Sequence, residues 1–150
     1  MKERRKNIHL EDFVEGINLL TFELGRHPET PLLTPGQEAL LTLLNQRGKL
    51  PLKEIKSFLH INTFQMSRLL SSLENFIENR RPISLVHREV SPQDKRQWIV
   101  SLSPDGKRVL LDEWKRTKKW VEVLLRPLTP QEKNAFMDII DKMVSSLRSK

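Results

Sequence analysis

Two runs that alternate like β-strands flank a short polar segment, and this arrangement constrains the fold more than any other part of the sequence. Both runs, 83–90 and 97–102, are rich in β-branched and apolar residues, and the segment 91–96 between them holds turn formers and two adjacent cations. The pattern predicts a β-hairpin whose tip carries Lys95 and Arg96 away from the body of the protein. Such a tip suits the minor groove or the flanking phosphates of a DNA duplex, although many hairpin tips are merely solvated.

The composition indicates a soluble globular protein of one domain, residues 1–150. A net charge of +7 favours a polyanionic partner. Cysteine is absent, which excludes disulfides, thiolate metal ligands and thiol nucleophiles and fits the reducing cytoplasm. The basic N-terminus leads into an amphipathic run rather than a continuous apolar stretch, so we expect neither a secretory signal nor a membrane span.

Helix start and stop signals divide the rest of the chain. Apolar residues recur at helical spacing within 7–26, and that helix should end near Gly25. Thr34 followed by proline and, three residues after the cap, Gln37 opens a second helix that Gly48 closes. A short third helix follows Pro51, and Asn62 is a favourable N-cap for a fourth.

The fourth helix combines a buried stripe with a face suited to DNA. Its apolar stripe includes Met66, Leu70 and Leu73. The opposite face has neither acidic nor large apolar side chains, so it can approach a phosphate backbone and donate or accept hydrogen bonds at base edges. A short helix, a brief connection and this helix predict a helix-turn-helix, and the hairpin makes it winged, with the DNA-binding lobe at 31–102.

The C-terminal third, 103–150, predicts two long helices that begin at Ser103 and at Thr129, the latter with a capping box. Together with 7–26 they carry more apolar surface than the lobe can cover, which favours a homodimer over the alternative of a helical bundle closed within a monomer. The residues predicted to form the dimer seam are Ile17, Leu20, Phe136, Ile139, Ile140, Met143 and Leu147.

These features resemble the MarR family of winged helix-turn-helix transcriptional regulators. The resemblance is carried by Asp94, Lys95 and Arg96 in the wing, by Leu102-Ser103 and Gly106 after it, and by the helix 62–70 with Leu73-Glu74. Ser91 stands where the family commonly has Asp, and Lys95 where Arg is usual. The connection 75–83 is longer than the family's, which predicts either a longer recognition helix or a loop.

The resemblance implies a homodimer and a small-molecule effector bound between the dimerisation helices and the lobe. The candidate residues for the effector site are Phe13, Phe22, Trp114 and Trp120, although aromatic residues at helical spacing are more often core.

No enzyme signal emerges, because the four histidines are scattered and the chain has neither a glycine-rich phosphate loop nor a nucleophile elbow. We therefore expect no catalytic residues and no cofactor. The sequence assigns no metal ligands, and a regulatory metal site formed by His and acidic residues that meet in space stays open. The predicted fold is mainly α with a small β-hairpin wing (α+β), a winged helix-turn-helix with long N- and C-terminal dimerisation helices. The predicted partner is double-stranded DNA, and the alternative is a winged-helix assembly module that does not bind DNA specifically. The residues predicted to contact DNA are Thr63, Gln65, Ser67, Arg68, Ser71, Arg88, Lys95 and Arg96.

Overall fold

The computed structural model describes residues 8–26 and 31–149, which separate into two compact units at residue 30. The first unit contains one helix, and the second contains the remaining helices and all the strands of the described chain. This arrangement confirms the predicted mainly helical winged fold. The elements are α1 (Leu10–Gly25), α2 (Pro35–Arg47), β1 (Leu50–Pro51), α3 (Leu52–Leu59), α4 (Thr63–Glu74), β2 (Phe76–Glu78), β3 (Arg81–Ile83), β4 (Val86–Val90), β5 (Trp98–Leu102), α5 (Pro104–Leu125) and α6 (Pro130–Arg148).

Reciprocal side-chain caps begin α2, α4 and α6. In α2 the Thr34 hydroxyl accepts from the Gln37 backbone N–H at 3.3 Å, and the Gln37 side-chain oxygen accepts from the Thr34 N–H at 3.0 Å. The same box joins Thr129 to Glu132 at the start of α6. Each cap satisfies backbone donors that the helix itself leaves unpaired, which is worth about 1 kcal/mol. The predicted starts of these helices are confirmed.

The predicted wing is an antiparallel pair, β4 with β5, in which Val86 lies opposite Leu102 and Val90 opposite Trp98. A third strand that the sequence does not announce, β1, pairs with β5 and sets Leu50 opposite Val100. The wing is therefore joined to the rest of the lobe by a strand pairing, that of β5 with β1.

One hydrophobic core holds the lobe together. Helix α2 contributes four leucines to it, and α3, α4, the wing strands and the first turns of α5 close around them. Burying each of these side chains contributes about 1.5 to 3 kcal/mol, so packing fixes where α4 and the wing lie. The buried hydrophobic residues are Leu33, Leu40, Leu41, Leu43, Leu44, Leu50, Ile55, Met66, Leu70, Leu73, Leu85, Val86, Val100, Val109 and Leu110.

The connection 75–83 is a second hairpin, so the prediction that the recognition helix runs longer is wrong, and so is the alternative of an irregular loop. Helix α4 ends at Glu74, and β2 pairs with β3 in register, Phe76 opposite Ile83 and Glu78 opposite Arg81. The exposure of β2 has the two-residue period of a strand, since Ile77 is exposed between two partly buried neighbours. The turn residues Asn79 and Arg80 both have positive φ, 49° and 65°. Positive φ at both central positions is the signature of a type I′ hairpin turn.

The long C-terminal helices leave apolar side chains uncovered in this chain. Every residue of α6 is exposed except Ile140, which is partly buried. In α1, the apolar residues of the stripe are also exposed. None of the helices within 8–26 and 31–149 has the length and continuous apolar surface that a transmembrane segment needs.

Candidate nucleic-acid interface

Helix α4 presents a polar face on which Arg68 is the one charged side chain between Asn62 and Ser72. Its buried side is Met66, Leu70 and Leu73, and this packing turns the opposite face outward. No acidic side chain lies between Asn62 and Ser72. The predicted DNA-contacting residues of the helix are all exposed: Thr63, Gln65, Ser67, Arg68 and Ser71.

Some of these side chains already have partners. The Thr63 hydroxyl accepts from Lys56 Nζ at 2.9 Å. The Gln65 side-chain oxygen accepts from the Asn62 backbone N–H at 2.9 Å, which completes the α4 capping box. Bidentate reading of adenine needs both the oxygen and the amide nitrogen of Gln65, so the cap would have to open for that contact. Arg68 lies over the Phe64 ring, with its guanidinium carbon 5.7 Å from the ring centre.

The wing tip is held by its own backbone and by Ser91. The Ser91 hydroxyl accepts from the backbone N–H groups of Gln93 and Asp94 at 3.3 and 3.4 Å, and the Asp94 carboxylate accepts from the Arg96 N–H at 3.0 Å. Ser91 is buried, so it shapes the loop and does not face a ligand. Lys95 and Arg96 are exposed, and no ion pair engages either of them within the described chain.

Arg88 is the predicted contact residue whose side chain is most engaged. Its Nη2 lies 3.0 Å from Glu74 Oε1, and its guanidinium carbon lies 5.2 Å from the centre of the Trp98 ring. These contacts join the end of α4 to strand β4 of the wing. Arg88 thus links β4 to the end of α4, and its own contact with DNA stays a prediction.

Sequence reasoning missed two side chains at this surface, and the expectation that the polar face of α4 has no large apolar side chain is wrong at Phe64. Phe64 is 68 % exposed on the polar face, where a ring can contact a thymine methyl group. Lys56, on α3, adds a cation next to Thr63. Phe64 lies two residues after the N-cap Asn62 and outside the buried stripe, which the hydrophobic pattern could have shown, whereas the position of Lys56 depends on how α3 packs.

A cavity of about 410 Å³ lies between α2, α3 and the end of α6. Phe58 forms part of its wall, and guanidinium carbons of Arg47 and Arg148 lie 4.9 and 4.8 Å from the centre of that ring. Burial and the nearby carboxylate of Glu113 raise the pKa of Glu38, another wall residue. The buried Glu113 also accepts from the Leu32 backbone N–H at 2.7 Å.

Among the suggested effector residues, neither Trp114 nor Trp120 lines this cavity, and Trp114 packs against the core instead. Phe13 and Phe22 lie on α1 and are 54 % and 63 % exposed. In the portions 8–26 and 31–149, no three His, Asp or Glu side chains are grouped to hold a metal ion.

The residues predicted to form a dimer seam are exposed, except Ile140, which is partly buried. Ile17 and Leu20 are 54 % and 42 % exposed on α1. Helix α6 carries the other predicted residues, with exposure rising to 74 % at Leu147: Phe136, Ile139, Ile140, Met143 and Leu147. Their pairing with a second copy remains untested.

The fold resembles those of solved transcriptional regulators. The regulator PcaV from Streptomyces coelicolor, solved with its natural ligand, aligns with a TM-score of 0.72 and 20% identity over 98% of this chain and 99% of its own. MarR aligns with a TM-score of 0.69 and 20% identity over 97% of this chain and 95% of its own. BpsR from Bordetella bronchiseptica, whose DNA binding is regulated by 6-hydroxynicotinic acid, aligns with a TM-score of 0.63 and 21% identity over 87% of this chain and 98% of its own.

In sequence, by contrast, no family model and no curated protein matches the chain. The likeness therefore lies in the arrangement of helices and wing, and it extends over nearly the whole chain. The predicted resemblance is thereby confirmed at the level of architecture: the chain has the winged helix fold of the MarR-family transcriptional regulators.

Proposed function

We propose that this protein is a sequence-specific double-stranded DNA-binding transcriptional regulator that acts as a homodimer and responds to a small-molecule effector. The observation that carries the proposal is that one lobe holds both an exposed face of α4 without acidic side chains and a cationic wing tip. A regulator of this kind works on the chromosome and not by catalysis, so we place it in the cytoplasm.

The two contact elements have different tasks in this proposal. The N-terminal part of α4 enters the major groove, where Arg68 and Ser67 have donors for base edges. Lys95 and Arg96 on the wing contact phosphates or the adjacent minor groove, and these contacts set register and affinity. The Arg88–Glu74 ion pair, at 3.0 Å, supports this division because it holds the wing at a fixed position beside α4.

Homodimerisation is proposed from the uncovered apolar stripes of α1 and α6. Large apolar side chains exposed along a whole helix are costly in water, and a second copy is the simplest cover. A symmetric dimer would place two recognition helices in successive major grooves, about 34 Å apart, and would favour inverted-repeat operators.

Effector response is proposed from the likeness to PcaV and BpsR, which bind small molecules. In this chain, the cavity bounded by Phe58, Arg148 and Glu38 is one candidate receptor. Its position between the lobe and α6 would let a ligand bias the placement of one relative to the other.

Selection of bound fragments from the source genome tests the proposed function. The full-length protein should enrich a short inverted repeat, and a scrambled version of that repeat should bind far more weakly. Recovery of random fragments, or of none, would contradict sequence-specific regulation.

An assembly module built on the winged fold is the second candidate, favoured by the apolar face of α6. The response to salt separates the two functions. Counterion release makes DNA affinity fall steeply as salt rises, whereas an apolar protein interface changes little.

A further inference from the structure

The hairpin β2–β3 is an arm attached directly to the end of the recognition helix. Its base is closed by a hydrogen bond from the Leu85 N–H to the Leu73 carbonyl, 2.9 Å long. The chain thus leaves α4, forms the arm and returns to the wing at nearly the same place. The position of the arm is therefore set by α4.

Side-chain contacts hold the arm against the lobe. Phe76 and Ile83, paired across the two strands, pack on the hydrophobic core. Glu78 accepts two hydrogen bonds from the Arg108 guanidinium, at 2.9 and 2.7 Å, and Asp105 accepts a third at 3.2 Å. These bonds, first to Glu78 and then to Asp105, raise the pKa of Arg108. Planar two-point pairing of this kind restricts direction as well as distance, so the arm is a fixed projection.

The tip of the arm carries two cations, one of them where a glycine would be favoured. Arg80 has φ 65°, a left-handed conformation that costs a long side chain about 1 kcal/mol or more and that Asn-Gly turns adopt readily. Arg80 and Arg81 are both exposed, and neither has an ion-pair partner in the part of the chain that the structure describes. Strained backbone conformations cluster at functional sites, so an exposed arginine in a left-handed conformation points to a functional role for its charge.

We propose that Arg80 and Arg81 bind the phosphodiester backbone bordering the major groove that α4 enters, so that the protein grips DNA with a second arm besides the wing. This inference rests on the proposed function. The distances fit: Arg68 and Glu74 are about 9 Å apart along the helix axis. Strands of this length extend about 10 Å, and the major groove is about 12 Å wide. The tip is thus within reach of a strand that borders the groove.

The discriminating variant is Arg80→Gly, which completes the Asn-Gly turn. It removes one guanidinium and relieves the left-handed arginine, so the melting temperature should stay the same or rise. In a plot of the logarithm of operator affinity against the logarithm of salt concentration, the slope should nevertheless become shallower by about 0.9. It should become shallower by about 1.8 when Arg81→Ala is added. The ratio of the affinity at 50 mM salt to that at 200 mM salt should therefore shrink by a factor of about 3.5 for each lost contact. Arg126→Ala, which removes one exposed charge outside the lobe, is the matched control and should leave the slope unchanged.

The measurement is fluorescence anisotropy of a labelled operator duplex, repeated with a scrambled duplex. Phosphate contact predicts equal losses for both duplexes. An operator slope unchanged by the double variant, with the parent protein binding normally, would overturn the arm and leave the proposed function standing. A loss restricted to the operator would also overturn it, since the arm would then read bases. If the parent protein itself shows no salt-dependent binding to DNA, the proposed function and the arm are both wrong.

Discussion

Replacing Gly106 with alanine should destabilise the lobe, although helix propensity alone gives the opposite sign. Gly106 is the third residue of α5 and is buried. A Cβ built there overlaps the Leu85 carbonyl oxygen and comes within 2.9 Å of Leu102 Cδ1. The carbonyl cannot retreat freely, because it accepts from the Ser103 N–H at 3.1 Å. Relief of the clash requires α5 to withdraw from the start of β4.

The magnitude follows from the contacts that this withdrawal breaks. Overpacking of a tight site costs about 1 to 3 kcal/mol, and the strained Ser103–Leu85 hydrogen bond adds about 1 kcal/mol. Alanine recovers at most about 1 kcal/mol of helix propensity. The balance is a fall of about 2 kcal/mol in the free energy of unfolding and of about 4 to 8 °C in the melting temperature.

Urea denaturation at one fixed protein concentration measures the change, since stability depends on concentration if the protein dimerises. Gly36→Ala is the matched control. Like Gly106, Gly36 lies in the first turn of a helix that begins with a hydroxyl cap and a proline. A Cβ added to Gly36 meets only Leu69 Cδ1, at 3.7 Å. The control should be neutral or slightly stabilising. A Gly106→Ala protein as stable as its parent would refute the close packing of α5 on β4.

Three further predictions concern the wing tip, helix α4 and the predicted dimer seam. Replacing Lys95 and Arg96 together by alanine should lower the log-log salt slope by about one per lost phosphate contact without lowering the melting temperature, and an unchanged slope would remove the wing from the interface. Arg68→Ala should reduce the preference for operator over random DNA by roughly 1 to 3 kcal/mol, whereas equal weakening on both would make Arg68 a phosphate anchor. Replacing Ile140 and Leu147 by Asp should give folded monomers with reduced operator affinity, seen by sedimentation, because unpaired charges enter the apolar seam.

Local rules account for the parts of the fold that were predicted. The caps at Thr34 and Thr129 are contained within four consecutive residues, and the buried stripe of α4 follows from helical spacing alone. The wing was readable for the same reason, since strand alternation and turn formers are contiguous there. The residues of α4 and of the wing tip that are predicted to contact DNA lie on exposed surfaces.

The features that were missed depend on contacts between distant segments or on unfavoured local choices. Strand β1 is two residues long and is defined as a strand only by its pairing with β5, in which Leu50 lies opposite Val100. The hairpin β2–β3 turns at Asn79-Arg80, where the usual glycine signal is missing. The sequence predicts Asn62 as the cap of α4, but not the hydrogen bond that its backbone N–H donates to the Gln65 side-chain oxygen, an atom proposed to read bases. The burial of Glu113 likewise reflects how α5 packs on the start of the lobe.

The affinity of the full-length protein for a selected inverted repeat and for its scrambled counterpart, measured from 50 to 200 mM salt, tests the central claim most directly. The account predicts that affinity for both duplexes falls steeply with salt, because each contact with a phosphate releases counterions. It also predicts that the repeat stays at least about a thousandfold preferred over the scrambled duplex. Weak binding that is indifferent to salt and to sequence would contradict a DNA-binding regulator and would favour the assembly module.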